Sequence, residues 1–279
     1  MEKLLRQSSF PHKQEGFAMG RSLVAGILGL MTTLAFASVM AAQVPASVPN
    51  LSGVWSRVGN VTFDPSDPEG LKAADLSKYP MTAWGLEQFK ANRPAHGAAQ
   101  NSTYAEGQAT GSNDPVNRCL PPGIPRVYVG PQIMQIVQTA DHLVELFEYD
   151  SLFRIIYLNG RQRPKDLEKT YMGWSNGHWE GDTLVVNATG FNGKGWLDRV
   201  GHPYSDELQL QERFHLVDPK TLQDDITFHD PKAYTRDWTG QKIFKLRNDW
   251  FLGDYFCEDQ GQFDEYQKKA GFNSFLPKQ

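Results

Sequence analysis

The sequence has few cysteines: among 279 residues only Cys119 and Cys257 carry thiols, and no CxxC pair occurs. With so few thiols we expect neither a zinc site nor a redox centre. None of the seven histidines stands four residues from another, so no metal site is predicted. The two cysteines either form a disulfide, as is usual in an oxidising compartment, or remain two buried free thiols.

Signatures of cofactor binding and a basic surplus are also missing. There is no HExxH or Walker motif, and no GxGxxG follows a predicted strand, so we expect no nucleotide or other cofactor. The net charge of -4 argues against a nucleic-acid partner, whose binding face normally shows excess Lys and Arg. What is present is a globular composition, 40% hydrophobic and 12% aromatic, that can fill a large core or line a pocket.

Residues 1–42 have the pattern of a secretory signal peptide. Basic residues at positions 3, 6, 13 and 21 accompany the apolar run LVAGILGLMTTLAFASVMAA, which is rich in small residues. Such a segment directs export and is then removed, here by cleavage after Ala37 or near Ala41. The alternative is an uncleaved anchor, because the run is nearly long enough to span a bilayer. We expect a periplasmic or secreted protein without stable membrane insertion after cleavage.

The remaining chain divides into an irregular arm, residues 43–118, and a β-rich region, residues 119–279. The arm holds a predicted first strand at 50–57 and one helical candidate, MTAWGLEQFKANR. From residue 126 short strand-like runs alternate with turn signals: VYVG, IMQIVQ, HLVELFEY, FRIIYL, TYMGW, TLVVNAT, ELQLQERFHLV, LQDDITFHD, KIFKLRN and DWFLGDYFC. This spacing is typical of an all-β sandwich or barrel. Several runs are apolar on both faces, which favours an antiparallel barrel covered on its outside by the arm.

Two sets of motifs resemble known families. NLSGVWSR followed by up-and-down strands resembles the calycin or lipocalin-like barrels, whose first strand carries a Gly-x-Trp. NRCLPPGIPR, YLNGRQRP, GHWEGDTLVVNATGF, SDELQLQERF and DYFCED resemble a family of exported bacterial proteins of unknown function, over most of residues 115–260. The resemblances imply an antiparallel lipocalin-like barrel, export, and pairing of Cys119 with Cys257. They imply no activity and no catalytic residue.

A carboxylate interrupts the apolar face of one predicted strand. In LQLQERFHLVD, residues 208–218, a period of two places Glu212 between Leu210 and Phe214. A return strand after Asp218-Pro219-Lys220 places Glu212 opposite Ile226 and brings Asp230 to the far end of the same face. An ionised carboxylate among apolar side chains must gain a cation, gain hydrogen bonds, or stay protonated at neutral pH.

Two interpretations of Glu212 stay open. In one, Glu212 pairs with an arginine such as Arg154 and the pair is inert scaffolding. In the other, Glu212 lines a ligand cavity and acts as acid or base, with Arg154, Tyr157, His202 and Asp230 orienting a substrate.

The functional hypothesis follows from the second interpretation. Its predicted substrate-binding residues are Glu148, Phe147, Trp174, Phe214 and Phe228. The chain is then an exported pocket enzyme that performs acid–base chemistry without a cofactor, of lyase, isomerase, cyclase or decarboxylase type, on a hydrophobic or aromatic small molecule. The alternative is a non-catalytic periplasmic carrier of lipids, terpenoids or aromatics.

Overall fold

The computed structural model describes residues 48–59, 61–97 and 112–257, so the predicted signal peptide lies outside the described residues. Nine strands form one closed barrel: β1 (Gly53–Arg57), β2 (Met134–Gln138), β3 (His142–Phe147), β4 (Phe153–Tyr157), β5 (Trp174–Glu180), β6 (Thr183–Thr189), β7 (Gln209–Asp218), β8 (Thr221–His229) and β9 (Trp238–Leu246). In the same described ranges they are accompanied by one α-helix, α1 (Ala83–Ala91), and by short 3-10 helices at Pro115–Arg118 and Arg126–Val129. The all-β barrel is therefore confirmed.

The barrel is antiparallel at eight of its nine strand pairs and parallel at one, between β4 and β5. The predicted antiparallel arrangement is therefore confirmed for most of the barrel, and the β4–β5 pair is the exception. Strand direction cannot alternate all the way round a closed ring with an odd number of strands, so at least one pair must be parallel. A parallel pair needs a long crossover, and residues 158–173 supply it.

The predicted register of the β7–β8 hairpin is confirmed. Leu210 pairs with Phe228 and Glu212 with Ile226, so the apolar faces of both strands point to the same side. Alternate residues of β7 are buried, as the period of two requires. Near the turn the register shifts between Leu216 and Asp218, which shortens the loop relative to the predicted three-residue connection.

Several strand assignments differ from the sequence prediction. The VYVG run belongs to the 3-10 helix Arg126–Val129, and DWFLGDYFC forms no strand within the described residues, apart from one isolated bridge between Tyr149 and Tyr255. β5 begins at the last residue of the predicted run TYMGW and extends through NGHWE, and the hairpin turn lies at Gly181, whose φ is 63°. Glycine adopts this left-handed conformation without the steric penalty that a side chain brings.

Two segments outside the strands fill the barrel interior. Phe63 packs on the inward side of β9 at Gly240, where an added Cβ would come within 2.5 Å of the Phe63 Cβ, and its ring lies 5.5 Å from Phe228. From the 3-10 helix, the Tyr128 ring lies 5.9 Å from Phe147 of β3. Side chains of about eight strands can fill a barrel by themselves. The wider nine-stranded ring takes in these additional aromatic side chains.

Cys119 and Cys257 form a disulfide with a Cα–Cα distance of 5.4 Å, as the resemblance implied. Cys119 follows the first 3-10 helix, and Cys257 is the last residue that the structure describes. The backbone N–H of Cys257 also donates to Asp150 Oδ1 at 2.7 Å. The bond therefore fixes the segment after β9 against the start of the barrel region.

Candidate functional site

Arg154 is the centre of a polar cluster inside the barrel. Its Nη1 donates to Glu212 Oε1 at 2.9 Å and its Nη2 donates to Glu212 Oε2, so the two side chains form a bidentate ion pair. The same Nη1 donates to the Tyr128 hydroxyl at 2.8 Å and lies 3.4 Å from Glu145 Oε2, while Nε donates to Ser175 Oγ at 2.8 Å. All five side chains are almost fully buried. Of the two interpretations of Glu212, its pairing with Arg154 is confirmed.

Strand alternation places these groups together. Glu145 on β3 is the direct cross-strand neighbour of Arg154 on β4, so both side chains point inward at one level of the barrel. Tyr128 reaches them from the 3-10 helix, and its hydroxyl donates to the Glu145 carboxylate, 2.8 and 2.9 Å from the two oxygens. The cluster therefore joins three separate parts of the chain through charge-assisted hydrogen bonds.

Three inward carboxyl groups surround this one guanidinium. Burial, reinforced by Glu212 and opposed by Arg154, raises the pKa of Glu145 to about 7. Burial and the nearby Glu212 raise the pKa of Asp224 well above its ordinary value, and neither of its oxygens has a hydrogen-bond partner. Burial lowers the pKa of Arg154, but the surrounding negative groups outweigh burial and raise it. Glu145 and Asp224 therefore both hold a proton more tightly than an exposed carboxyl does, beside one guanidinium that stays charged.

A cleft opens in the barrel wall beside this cluster. β4 and β5 pair only at Ile156–Ser175 and Tyr157–Asn176, so the strands separate beyond these residues. The cavity between them measures about 380 Å³ and is lined mainly by apolar side chains: Ser151, Leu152, Phe153, Arg154, Ile155, Tyr157, Thr170, Met172, Gly173, Trp174 and Ser175. We call this cavity the seam cleft. Its volume lies in the range of small-molecule sites.

Aromatic side chains form one wall of the seam cleft. The Tyr157 and Trp174 rings stack at 4.6 Å between centroids, and the Arg161 guanidinium lies 5.1 Å from the Tyr157 centroid. Phe153, also in the lining, is 60% exposed. The Trp174 Nε1–H is buried and has no hydrogen-bond partner. The cleft thus combines flat apolar surfaces with one unused donor.

The predicted catalytic residues do not form a single site. Arg154 and Glu212 meet, but Tyr157 lies on the outward side of β4 and faces the seam cleft. His202 is not at a barrel rim: it is fully buried, with Nδ1 2.5 Å from Asp198 Oδ2 and Nε2 donating to a backbone carbonyl at 2.9 Å. Asp230 accepts from the backbone N–H and hydroxyl of a loop serine and orders the approach to β7.

The predicted substrate-binding residues are also dispersed. Only Trp174 lines the seam cleft. Phe147, Phe214 and Phe228 point into the filled interior, where Phe228 stacks on a tryptophan of β9 at 3.9 Å. Glu148 faces the opposite side of its strand and accepts from the backbone N–H of residue 253 at 3.2 Å. Three of the five therefore build the core, and one holds the segment after β9.

Sequence reasoning missed Tyr128, Ser175, Glu145 and Asp224. Tyr128 was assigned to a strand, and Glu145 was set aside in favour of its neighbour Glu148. The signal for Asp224 was available, since it shares the inward parity of Ile226 on β8. Ser175 lies in GWSNG, which fits the GxSxG pattern of nucleophile elbows. Here the serine sits inside a strand with no helix following it, and its hydroxyl binds a guanidinium, so the elbow geometry is absent at this serine.

Comparison with protein-family models, curated proteins and solved structures gave no match to the chain. Within the described residues no group of three or more His, Cys, Asp or Glu side chains is placed to hold a metal ion. No helix in this part of the chain is long and apolar enough to cross a membrane. The seam cleft and the cluster behind it are therefore the features of the described chain that bear on function.

Proposed function

We propose that this protein binds a neutral hydrophobic or aromatic small molecule in the seam cleft. The observation that carries the proposal is the cleft itself, a cavity of about 380 Å³ whose lining is dominated by apolar and aromatic side chains. Ligand sites of this kind combine apolar walls with a few polar groups that set orientation. Trp174 Nε1 supplies such a group, because a buried donor without a partner gains most from a ligand oxygen.

The charge state of the cluster favours a neutral ligand over an anion. Arg154 is the only cationic side chain in the cleft lining, and each of its nitrogens already donates to a protein group. Glu212 neutralises it through a bidentate pair, and Glu145 adds partial negative charge. An anionic ligand would compete with these carboxylates inside a low-dielectric interior, which is unfavourable.

Fluorescence titration with N-phenyl-1-naphthylamine, a neutral aromatic probe, tests the proposal. We expect binding to quench tryptophan emission, and Trp174→Phe to abolish most of the quenching. Phe153→Ser should weaken binding by about tenfold, because it removes one apolar wall. Phe251→Ser is the matched control, since Phe251 is 82% exposed and lies outside the cleft lining. Equal affinity in both serine variants would place the probe elsewhere and refute the seam cleft as its site.

A second candidate function, cofactor-free acid–base catalysis in the same cleft, is favoured by Glu145. Its pKa of about 7 allows it to accept or release a proton at neutral pH. The Tyr128 hydroxyl connects Glu145 to Arg154, which lines the cleft, so the titrating carboxyl lies directly behind the cleft wall. A lyase, isomerase, cyclase or decarboxylase reaction on the bound molecule is the chemistry that this carboxyl would serve, with Arg154 as a fixed positive charge that does not transfer the proton.

Native mass spectrometry of freshly purified protein, followed by incubation of the released compound with fresh protein, separates carrier from enzyme. Catalysis predicts that the compound changes over time with the wild type and that Glu145→Gln stops this change while still binding it. A carrier returns the compound unaltered with both proteins. Glu145→Gln is preferable to Glu212→Gln, because Glu212 forms the ion pair that supports the cluster.

Export to the periplasm or the cell exterior completes the proposal. The pattern of residues 1–42 supports it, and the Cys119–Cys257 disulfide suits an oxidising compartment. The closed barrel is compatible with the calycin-like resemblance of the first strand. Cell fractionation of a host that expresses the full chain tests this point, and recovery of unprocessed protein in the cytoplasm contradicts it.

A further inference from the structure

A second cavity, of about 190 Å³, lies apart from the seam cleft and shares no lining residue with it. Its lining comes from residues 95–96, residues between 114 and 132, Tyr149 after β3, Arg199, and Tyr255 near the disulfide. The Tyr149 and Tyr255 rings lie 5.3 Å apart at one wall. Nothing in the proposed ligand-binding function uses this cavity.

Two buried donors in the lining have no acceptor. Arg126 is 6% exposed, and its Nη2 pairs with Asp114, yet its Nη1 makes no hydrogen bond. The Tyr149 hydroxyl, in a side chain 6% exposed, also lacks a partner. Tyr149 lies within the electrostatic influence of Arg126, which opposes the burial that raises the pKa of Tyr149. Native structures rarely leave buried donors unsatisfied, and a bound acceptor is one explanation for such a pair.

A further polar side chain of the lining, His96, lies in the positive field of nearby arginines. Burial, together with the fields of Arg199, Arg126 and Arg57, lowers the pKa of His96 to about 4. His96 is therefore neutral at physiological pH, and its Nε2 accepts from Arg199 Nη2 at 2.6 Å. Burial penalises a charge of either sign, whereas the field of the three arginines opposes a cation and favours an anion.

We propose that this cavity binds a compact oxyanion, such as sulfate, phosphate or a short carboxylate, through Arg126 Nη1 and the Tyr149 hydroxyl. The volume of about 190 Å³ is below the range of drug-sized sites, which favours a small ligand. Guanidinium and phenol donors bind anionic oxygens with short, charge-assisted hydrogen bonds. The Asp114 carboxylate occupies Nη2 and orients the guanidinium, so that Nη1 remains for the ligand.

Thermal unfolding in sodium sulfate and in sodium acetate, each compared with sodium chloride of equal ionic strength, tests the site. An anion that binds only the folded chain raises Tm with its concentration. We expect Tyr149→Phe to weaken the anion affinity by about tenfold, because one hydrogen bond to a charged group contributes a factor of this size. Tyr204→Phe is the matched control: its hydroxyl is also buried without a partner, and it lies outside the cavity lining.

The variants give a clear decision. The proposal is supported by a rise in Tm beyond that in chloride that is kept in Tyr204→Phe and reduced in Tyr149→Phe. If only sulfate has this effect, the site prefers tetrahedral oxyanions, and if only acetate has it, the site prefers planar carboxylates. Arg126→Gln should abolish the effect where it folds, and Tyr149→Phe keeps the test valid where it does not. Absence of any excess effect of sulfate and acetate, or an equal effect in both phenylalanine variants, overturns the site.

Discussion

Replacement of Glu145 by glutamine should change how stability depends on pH. The pKa of Glu145 is about 7 in the folded chain, because burial disfavours its charged form, and its ordinary value is 4.5. Between these two values the folded chain binds more protons than the unfolded chain. The contribution of this group is therefore fully present below pH 4.5 and is lost as pH rises through 7. The gap between the two pKa values corresponds to about 3 kcal/mol.

Glutamine keeps the shape of the side chain and cannot titrate. The Glu145→Gln variant therefore lacks this pH-dependent contribution to the free energy of unfolding. The free energy of unfolding of the variant relative to the wild type should therefore rise by about 3 kcal/mol from below pH 4.5 to above pH 7. Any constant effect of the lost Tyr128 contact is the same at each pH and cancels in the comparison. Urea unfolding of both proteins across this range measures the difference. A difference that does not vary with pH, or that falls, would refute the assigned ionisation of the cluster.

Three further predictions concern the fold around the site. Glu212→Gln should lower the free energy of unfolding by about 3–5 kcal/mol, since it leaves a buried guanidinium without its bidentate partner; a loss below about 1 kcal/mol in urea contradicts this. Serine at both Cys119 and Cys257 should remove about 5 kcal/mol in the chain-entropy model for a loop of 138 residues, and unchanged unfolding with and without reductant speaks against it. Gly240→Ala should lower stability by about 1–3 kcal/mol, because its Cβ would meet Phe63; a neutral effect shows that this segment does not fill the barrel.

The strands and one buried acid were predictable from the sequence because local alternation determines them. β7 and β8 read as clear period-two patterns, and matching their apolar faces gave the observed pairing of Glu212 with Ile226. On β4 the same rule placed Arg154 and Tyr157 on opposite faces without deciding which of them points inward. For the β7–β8 hairpin the side-chain period and the burial requirement leave one solution, and that solution does not depend on distant parts of the chain.

The partners of these residues were not predictable in the same way. Tyr128 lies in a run of β-branched and aromatic residues that also fits a strand, and only tertiary packing makes it a 3-10 helix inside the barrel. His202 precedes a proline in a polar stretch typical of exposed loops, yet it is buried by Tyr79, whose ring lies 3.9 Å away. Contacts between distant segments decide both positions, and a single strand pattern contains no information on them.

The seam cleft lies at the parallel strand pair that the odd number of strands requires. A closed ring of nine strands must contain a parallel pair, and in this barrel that pair has only two residue pairs, at β4 and β5. Arg154 lies outside these two residue pairs and has no backbone partner on β5. Its side chain connects the two strands instead, because Nε donates to Ser175 Oγ. The wall therefore opens at the same point where a charged side chain is tied to buried carboxylates. A barrel with an even number of strands can be antiparallel throughout and needs no parallel pair. In this barrel the short parallel pair places an apolar opening next to a titratable cluster.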